Sequence, residues 1–220
     1  NWMSGQDDVI QLKDSNSEEI RGILSDSDLI FCLDFCSLKR IEGLGPMVQD
    51  SKAQKVLIDH HIGKDDFADF ELWSTKASST AELIYDFLGI MDYMDDLSTD
   101  LSECIYAGMM TDTGSFRFPA TSKKVHLIVA DLMDRNIDHS KIHRLVYDNN
   151  RLEKLNFLGY ALSEKLNFLK DYRAAYIALS QEELDRFSYR TGDSEGLVNY
   201  ALSLEGVVFA ALIIQKDGAV

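Results

Sequence analysis

The stretches LIFCLD (residues 29–34) and VLIDHH (residues 56–61) decide the fold of this chain. Each is a short, continuous apolar run rich in bulky side chains, which is typical of a buried β-strand, and each ends in aspartate. The carboxyl ends of the strands in an open parallel sheet form one rim, outside which ligands bind. Asp34 and the triplet Asp59-His60-His61 are therefore expected to converge at that rim.

These residues predict a metal site, although each also has a simpler interpretation. An aspartate after a strand often only forms a turn or caps a helix. Two adjacent histidines favour the metal interpretation, because the whole chain contains five histidines and two of them follow one strand. Carboxylate and neutral imidazole together suit Mn, Fe or Zn. Asp34 and His60 are the first two predicted ligands.

A third motif, TDTGS at residues 111–115, follows a predicted helix over Thr99–Met110. An aspartate at the carboxyl end of a helix opposes the helix dipole, at a cost of about 0.3–1 kcal/mol unless a cation offsets it. A bound metal would remove that penalty for Asp112. The alternative is a plain Asp-Thr-Gly turn.

The order of these motifs resembles the DHH phosphoesterase superfamily. Asp34, IDHH at residues 58–61 and TDTG at residues 111–114 carry the resemblance. Within the superfamily the chain is similar to the nanoRNase or oligoribonuclease and pAp phosphatase branch. The stretches ASSTAE (residues 77–82) and GDSEGLVN (residues 192–199) support that branch, and the resemblance extends through most of the chain.

The resemblance implies a role for each motif residue. Asp34 would bridge two Mn²⁺ ions, and His60 and Asp112 would ligate one of them. His61 would face the scissile phosphate, where it stabilises charge or protonates the leaving oxygen, and Asp59 would orient it, as carboxylates commonly orient imidazoles. Two ions about 3.5–4 Å apart can clamp the attacking and leaving oxygens of an in-line displacement by hydroxide. Mg²⁺ or Co²⁺ would also suit these ligands.

Two further places are predicted to contact substrate. Ser79 and Thr80 have the spacing of a capping box with Glu82, so they start a helix and could also present amide groups to a phosphate. Arg151 matches a position at which the family places an arginine facing the substrate phosphate, and a guanidinium offers the forked donors that an oxyanion accepts. The alternative for Arg151 is a solvated charge at a helix end.

The predicted fold class is α/β: a parallel-sheet DHH phosphoesterase domain, followed by a smaller, incomplete α/β DHH-associated domain. We expect the DHH core over residues 1–148, a linker helix over 149–170 and a partial substrate-binding domain over 171–220. The family's earlier His and Asp-x-Asp motif and its first strand are missing before Asp34. The residues KDG (216–218) predict a hairpin turn without a return strand. We therefore expect truncation at both ends.

Composition excludes some partners. The chain has 37 acidic and 22 basic residues, a net charge of −15, which repels long duplex nucleic acid because such binding requires neutralising many phosphates. No apolar run approaches the roughly 18 residues of a membrane span. Cys32, Cys36 and Cys104 are odd in number and lie in apolar stretches, which favours free thiols and a cytoplasmic protein. The family resemblance implies a homodimer.

The predicted function is that of a Mn-dependent hydrolase, a phosphoesterase that degrades very short oligoribonucleotides and dephosphorylates adenosine 3′,5′-bisphosphate. Three related activities stay open, because the same core resembles exopolyphosphatases, inorganic pyrophosphatases and cyclic-dinucleotide phosphodiesterases. A different class is a non-catalytic nucleotide-binding protein that lacks the first motif. A purely structural domain does not explain why so many metal-ligating residue types stand at the ends of elements.

Overall fold

The computed structural model describes residues 2–215, which divide into two compact units, Asn1–Leu145 and Val146–Val220. Each unit combines one three-stranded sheet with helices. This confirms the predicted α/β class, with a parallel sheet in the first unit and a second sheet in the smaller one. The predicted three-part division at residues 148 and 170 stays a prediction.

The sheet of the first unit is entirely parallel. Its strands β1 (Leu29–Leu33), β2 (Gln54–Asp59) and β3 (Phe70–Trp73) lie in the order β1-β2-β3. Leu33 is opposite Ile58, and Asp59 is opposite Trp73. The carboxyl ends of all three strands therefore reach the same edge of the sheet.

Helices cover both faces of this sheet. Along β2, successive side chains point to opposite faces. Leu57 packs with Cys32 and Val48 on one face, and Ile58 packs with Leu83 and Ala77 on the other. Residues 17–147 contain six α-helices: α1 Ser17–Asp26, α2 Leu44–Asp50, α3 Thr80–Ile90, α4 Thr99–Asp112, α5 Lys123–Asp134 and α6 His139–Tyr147.

Sequence patterning misses α2 and strand β3 but predicts the other five helices, over Ser17–Leu24, Ser79–Leu88, Thr99–Met110, Ser122–Asn136 and Ser140–Tyr147. Helix α2 contains Gly45 and Pro46, which usually interrupt a helix, but a proline is tolerated in the first turn. Strand β3 has only four residues and includes Glu71, so it has no continuous apolar run. Its pairing with β2 depends on contacts that local patterning does not contain.

The second unit has a mixed sheet. Strand β4 (Leu166–Leu169) pairs antiparallel with β5 (Ala174–Leu179), and β6 (Phe209–Ile214) pairs parallel with β5. The helices are α7 Leu152–Tyr160, α8 Gln181–Arg186 and α9 Leu197–Leu202. One face of the sheet and these helices share a core, with buried residues Phe157, Ala161, Ala175, Ile177, Leu179, Leu184, Leu197 and Ala201.

The predicted helix over residues 149–170 is only partly correct. Helix α7 ends at Tyr160, a π-helical turn covers Ala161–Lys165, and the remaining residues form β4. Leucines at helical spacing do not exclude a strand when β5 offers a partner, and Leu166 lies opposite Ile177. The predicted hairpin turn at residues 216–218 lies outside the described residues.

The structure describes the cysteines and the lengths of the helices. Cys32, Cys36 and Cys104 are free thiols, and the first two are buried. None of the helices within residues 2–215 combines the length and the apolar character that a bilayer crossing requires.

A close approach of α3 and α4 makes Gly108 sensitive to substitution. A Cβ at Gly108 would lie 2.8 Å from the Ala81 Cβ, whereas one at Gly22, in the exposed part of α1, would meet nothing within 4 Å. We expect Gly108→Val to lower the free energy of unfolding by about 1–3 kcal/mol, the usual cost of overpacking. Gly22→Val should change it by less than about 0.5 kcal/mol. Urea denaturation measures both, and equal stability of the two variants would contradict the packing described.

A hydrogen-bonded glutamate in the second unit makes stability depend on pH. Burial raises the pKa of Glu183, but Lys165, the Ser180 amide and the Tyr160 hydroxyl all donate to its carboxylate and bring the pKa to about 2, below its ordinary 4.5. The Lys165 Nζ and the Ser180 amide lie 2.7 and 2.8 Å from the carboxylate oxygens. The folded state therefore favours the ionised form.

The stabilisation from Glu183 is present in full above about pH 4.5 and is lost as the pH falls toward about 2. We expect Glu183→Gln to be less stable than the wild type at neutral pH, and the difference to vanish by about pH 2. Chemical denaturation at a series of pH values measures it. Glu182→Gln, at the exposed neighbouring position, is the control. A difference that stays constant with pH would contradict the assignment.

Candidate metal centre

Side chains from three segments meet at the carboxyl edge of the first sheet. Asp34 follows β1, His60 and His61 follow β2, and Asp112 is the last residue of α4. The His60 Nε2 lies 3.8 Å from Asp34 Oδ1 and 3.6 Å from Asp112 Oδ2. The His61 Nδ1 lies 3.9 Å from Asp34 Oδ1. The structure thus brings together the residues that the motifs single out, from positions up to 78 residues apart in sequence.

Asp34 has an unusual backbone conformation for a residue with a side chain. Its φ is +67°, in the left-handed region that aspartate tolerates better than most residues. Its amide donates to the Ile58 carbonyl at 3.1 Å and so extends the ladder between β1 and β2. The Thr80 hydroxyl donates to its Oδ1 at 2.7 Å. The side chain is 58% exposed, so this carboxylate faces solvent at the rim.

Asp59 is fully buried and holds His61. One carboxylate oxygen is 2.7 Å from the His61 Nδ1, and the other accepts the His61 amide at 3.2 Å. An ionised carboxylate only accepts hydrogen bonds, so the neutral ring carries its proton on Nδ1 and leaves Nε2 as an acceptor. Trp73, at the end of β3, donates its indole N–H to the His61 carbonyl at 2.8 Å. His61 is therefore held through its ring, its amide and its carbonyl.

The surroundings of Asp112 disfavour its ionised carboxylate. Burial, followed by the nearby carboxylate of Asp34, raises its pKa, while His60 and His61 oppose that rise. The turn after it is held by Thr113, whose buried hydroxyl donates to the Met109 carbonyl at 2.6 Å. A cation placed between the two carboxylates would relieve their repulsion.

The donor atoms of this cluster fit a divalent cation. Asp34, His60 and His61 offer ligand atoms within 4.8 Å of one another, but the His61 Nδ1 is engaged by Asp59. Asp34, His60 and Asp112 remain, with donor atoms 3.6–3.8 Å apart around His60. Two atoms at such a separation can both reach an ion about 2.0–2.2 Å away. Carboxylate and imidazole are ligands of several divalent metals.

The residues predicted to bind substrate have other contacts in this structure. Ser79 is fully buried and caps α3, since its hydroxyl accepts the Glu82 amide at 3.0 Å. Thr80 donates to Asp34, as described. Arg151 lies in the second unit, where its guanidinium contacts Asp193 at 2.7 Å. Substrate binding by these three residues stays a prediction.

Sequence patterns miss one residue that supports the cluster and give another a different role. No pattern indicates Trp73, although a tryptophan at a strand end needs a partner for its N–H. Thr80 is predicted to contact substrate. Its contact with Asp34 joins residues 46 positions apart, and no local pattern indicates such a contact.

Comparison with known proteins identifies the class. Residues 5–109 match the model of the DHH family, N-terminal domain. The matched segment lies within the first unit and includes Asp34, His60 and His61. Asp112 lies three residues beyond the matched segment.

Similar individual proteins lie in one branch of this family. The probable bifunctional oligoribonuclease and PAP phosphatase NrnA of Streptococcus mutans is 32% identical over 74% of this chain and 51% of its own length. The bifunctional oligoribonuclease and PAP phosphatase NrnA of Bacillus subtilis is 27% identical over 83% of this chain and 58% of its own length. The chain thus spans about half the length of these relatives. The predicted resemblance to the NrnA-type branch is confirmed.

A solved structure agrees with the fold. The crystal structure of an exopolyphosphatase-related protein from Bacteroides fragilis superposes with a TM-score of 0.92 at 38% identity. The match covers 98% of this chain and 63% of that one. The fold of both units therefore occurs in a DHH-type relative.

The two hydrogen bonds to buried Asp59 predict the effect of an isosteric change. Asparagine offers one acceptor oxygen instead of two, so Asp59→Asn leaves either the amide or the ring N–H of His61 without its partner. We expect a loss of about 1–3 kcal/mol in the free energy of unfolding. Asp66→Asn, at an exposed position of the loop that follows β2, should be neutral. Urea denaturation measures both, and an equally stable Asp59→Asn would show that these bonds do not hold His61.

Proposed function

We propose that this protein is a metal-dependent phosphohydrolase of the NrnA type, which degrades very short oligoribonucleotides and removes a phosphate from adenosine 3′,5′-bisphosphate. The observation that carries the proposal is the convergence of Asp34 and Asp112 on His60, whose Nε2 lies 3.8 and 3.6 Å from their carboxylate oxygens. The oriented ring of His61 lies beside them. The named activities of the Streptococcus mutans and Bacillus subtilis relatives support the substrate class.

In this proposal Asp34, His60 and Asp112 would hold Mn²⁺, and Mg²⁺ or Co²⁺ would substitute for it. When bound, such ions polarise phosphoryl oxygens and lower the pKa of water. The cluster alone is rich in carboxylates and repels a phosphate. The proposal therefore requires the cation for substrate binding as well as for chemistry.

His61 would act on the leaving group. With Nδ1 committed to Asp59, its Nε2 is the nitrogen that can carry a second proton to an oxygen. Water would add to phosphorus and release one proton to solvent, the bond from phosphorus to the ester oxygen would break, and that oxygen would take a proton from Nε2, which His61 regains from solvent. Asp59 would keep the ring oriented during the transfer, because its carboxylate accepts from Nδ1.

Substrate size follows from the surface charge. A net charge of −15 disfavours the many phosphate contacts of a long duplex, whereas a dinucleotide or a bisphosphate needs few. Ser79, Thr80 and Arg151 are the residues that the family resemblance offers for phosphate contact. Homodimerisation and a cytoplasmic location are part of the same proposal.

A side-by-side assay tests the proposal. The protein with Mn²⁺ is incubated with a labelled RNA dinucleotide, adenosine 3′,5′-bisphosphate and polyphosphate. Cleavage of the first two supports the NrnA-type activity. Activity on polyphosphate alone would favour the exopolyphosphatase alternative, to which the name of the Bacteroides fragilis relative points. No activity on any of them would favour a nucleotide-binding protein.

Asp34 is the residue whose removal should be most damaging. We expect Asp34→Ala to abolish hydrolysis of every substrate that the wild type cleaves, because it removes a carboxylate that would hold the metal. Cys104→Ala, in α4 away from the cluster, should lower stability without changing turnover. Initial rates at saturating Mn²⁺ measure the turnover of both variants, and urea denaturation measures the stability of Cys104→Ala. Wild-type turnover by Asp34→Ala would refute the assignment.

A further inference from the structure

The Thr80 hydroxyl donates to Asp34 and takes no part in capping its own helix. We infer that Thr80 is a positioning residue, which holds the Asp34 carboxylate in the orientation that binds metal. This inference deepens the proposed function and rests on its metal centre. It replaces direct substrate contact as the role of the Thr80 side chain.

The contact is short and charge-assisted. The Thr80 Oγ1 lies 2.7 Å from Asp34 Oδ1, at the upper end of the 2.5–2.7 Å usual for a hydroxyl that donates to a carboxylate. A hydroxyl has one proton to donate, so this proton is committed to Asp34 and is not available to a phosphate.

Asp34 has few other constraints on its side chain. The side chain is 58% exposed, and its backbone is in the left-handed region, with φ at +67°. An exposed carboxylate would otherwise sample several rotamers. The bond from Thr80 selects the rotamer in which Oδ1 faces the His60 Nε2 at 3.8 Å. An oxygen with two lone-pair sites keeps one of them after accepting this proton, so Oδ1 can still ligate a cation.

Thr80 is itself held rigidly. It is 5% exposed, is β-branched, and is the first residue of α3. The buried Glu82 accepts the Ser78 amide at 2.7 Å and pairs with Lys124 of α5 at 3.1 Å. The start of α3 is therefore tied to a neighbouring helix. A donor that is fixed in this way restricts the orientation of the exposed carboxylate to which it is bonded.

The helix does not depend on the Thr80 hydroxyl. Ser79 supplies the cap of α3, because its hydroxyl accepts the Glu82 amide. Thr99 provides a matched comparison within the same unit. It is the first residue of α4, follows the capping residue Ser98, and its hydroxyl donates to the Arg135 carbonyl at 3.0 Å. Thr80 and Thr99 are thus both the first residue of a helix, but Thr80 donates to the Asp34 carboxylate and Thr99 to the Arg135 carbonyl.

The test measures Mn²⁺ affinity by isothermal titration calorimetry, without any substrate. We expect Thr80→Val to weaken Mn²⁺ binding by about 10- to 100-fold, the usual effect of removing a group that orients a ligand. Thr80→Ser should restore most of the affinity, because serine keeps the donor. Thr99→Val should bind Mn²⁺ as the wild type does. Circular dichroism establishes that each variant is folded.

Three results would overturn the inference: Thr80→Val within twofold of the wild-type affinity, Thr99→Val weakened as much as Thr80→Val, or a wild type that binds no Mn²⁺. If Thr80→Val does not fold, the inference is judged on Thr80→Ser and Thr80→Ala against Thr99→Ala, with the same criteria. The proposed function fails separately. A wild type that binds Mn²⁺ but hydrolyses no substrate would refute the activity and leave the role of Thr80 intact.

Discussion

The parallel register of β1 and β2 is the constraint on which the centre depends. Leu33 lies opposite Ile58, and the Asp34 amide donates to the Ile58 carbonyl, so the residues that follow both strands emerge side by side. A slip of one residue would turn the buried Leu57 and Ile58 to the wrong faces of the sheet. The apolar packing that stabilises the sheet therefore also sets the distance between Asp34 and the histidines.

A concentration of carboxylates is the second feature that follows from this geometry. The cost of burying Asp59 is offset because both of its oxygens accept hydrogen bonds from His61. Asp34 and Asp112 have no such compensation from each other, and their proximity contributes to the raised pKa of Asp112. The same carboxylates thus divide into one that orients an imidazole and two that favour a cation. Burial and hydrogen bonding, rather than residue type, make the distinction.

The capped start of helix α3 also supports the metal centre. The Ser79 hydroxyl accepts the Glu82 amide and the Glu82 carboxylate accepts the Ser78 amide, as at the start of many helices. The residue between them, Thr80, is left with a hydroxyl that reaches Asp34. A sequence that reads as a capping motif therefore also brings a donor to the rim of the sheet. A side chain in the second unit also has two roles: Glu183 accepts the Ser180 amide at the start of α8 and pairs with Lys165.

The sequence by itself determined the α/β class, five of the six helices of the first unit and the five side chains of the cluster. Its apolar runs also predict strands β1, β2, β5 and β6, the last two from residues 174–179 and 207–214. These are local properties: apolar runs, helical spacing and motifs at element ends. Only the tertiary structure decided β3 and β4, because each forms through pairing with a neighbouring strand, and β4 carries leucines at helical spacing. It also decided that Thr80 contacts Asp34 and that Trp73 contacts His61. Those contacts join residues distant in sequence, so their geometry exists only once the chain has folded.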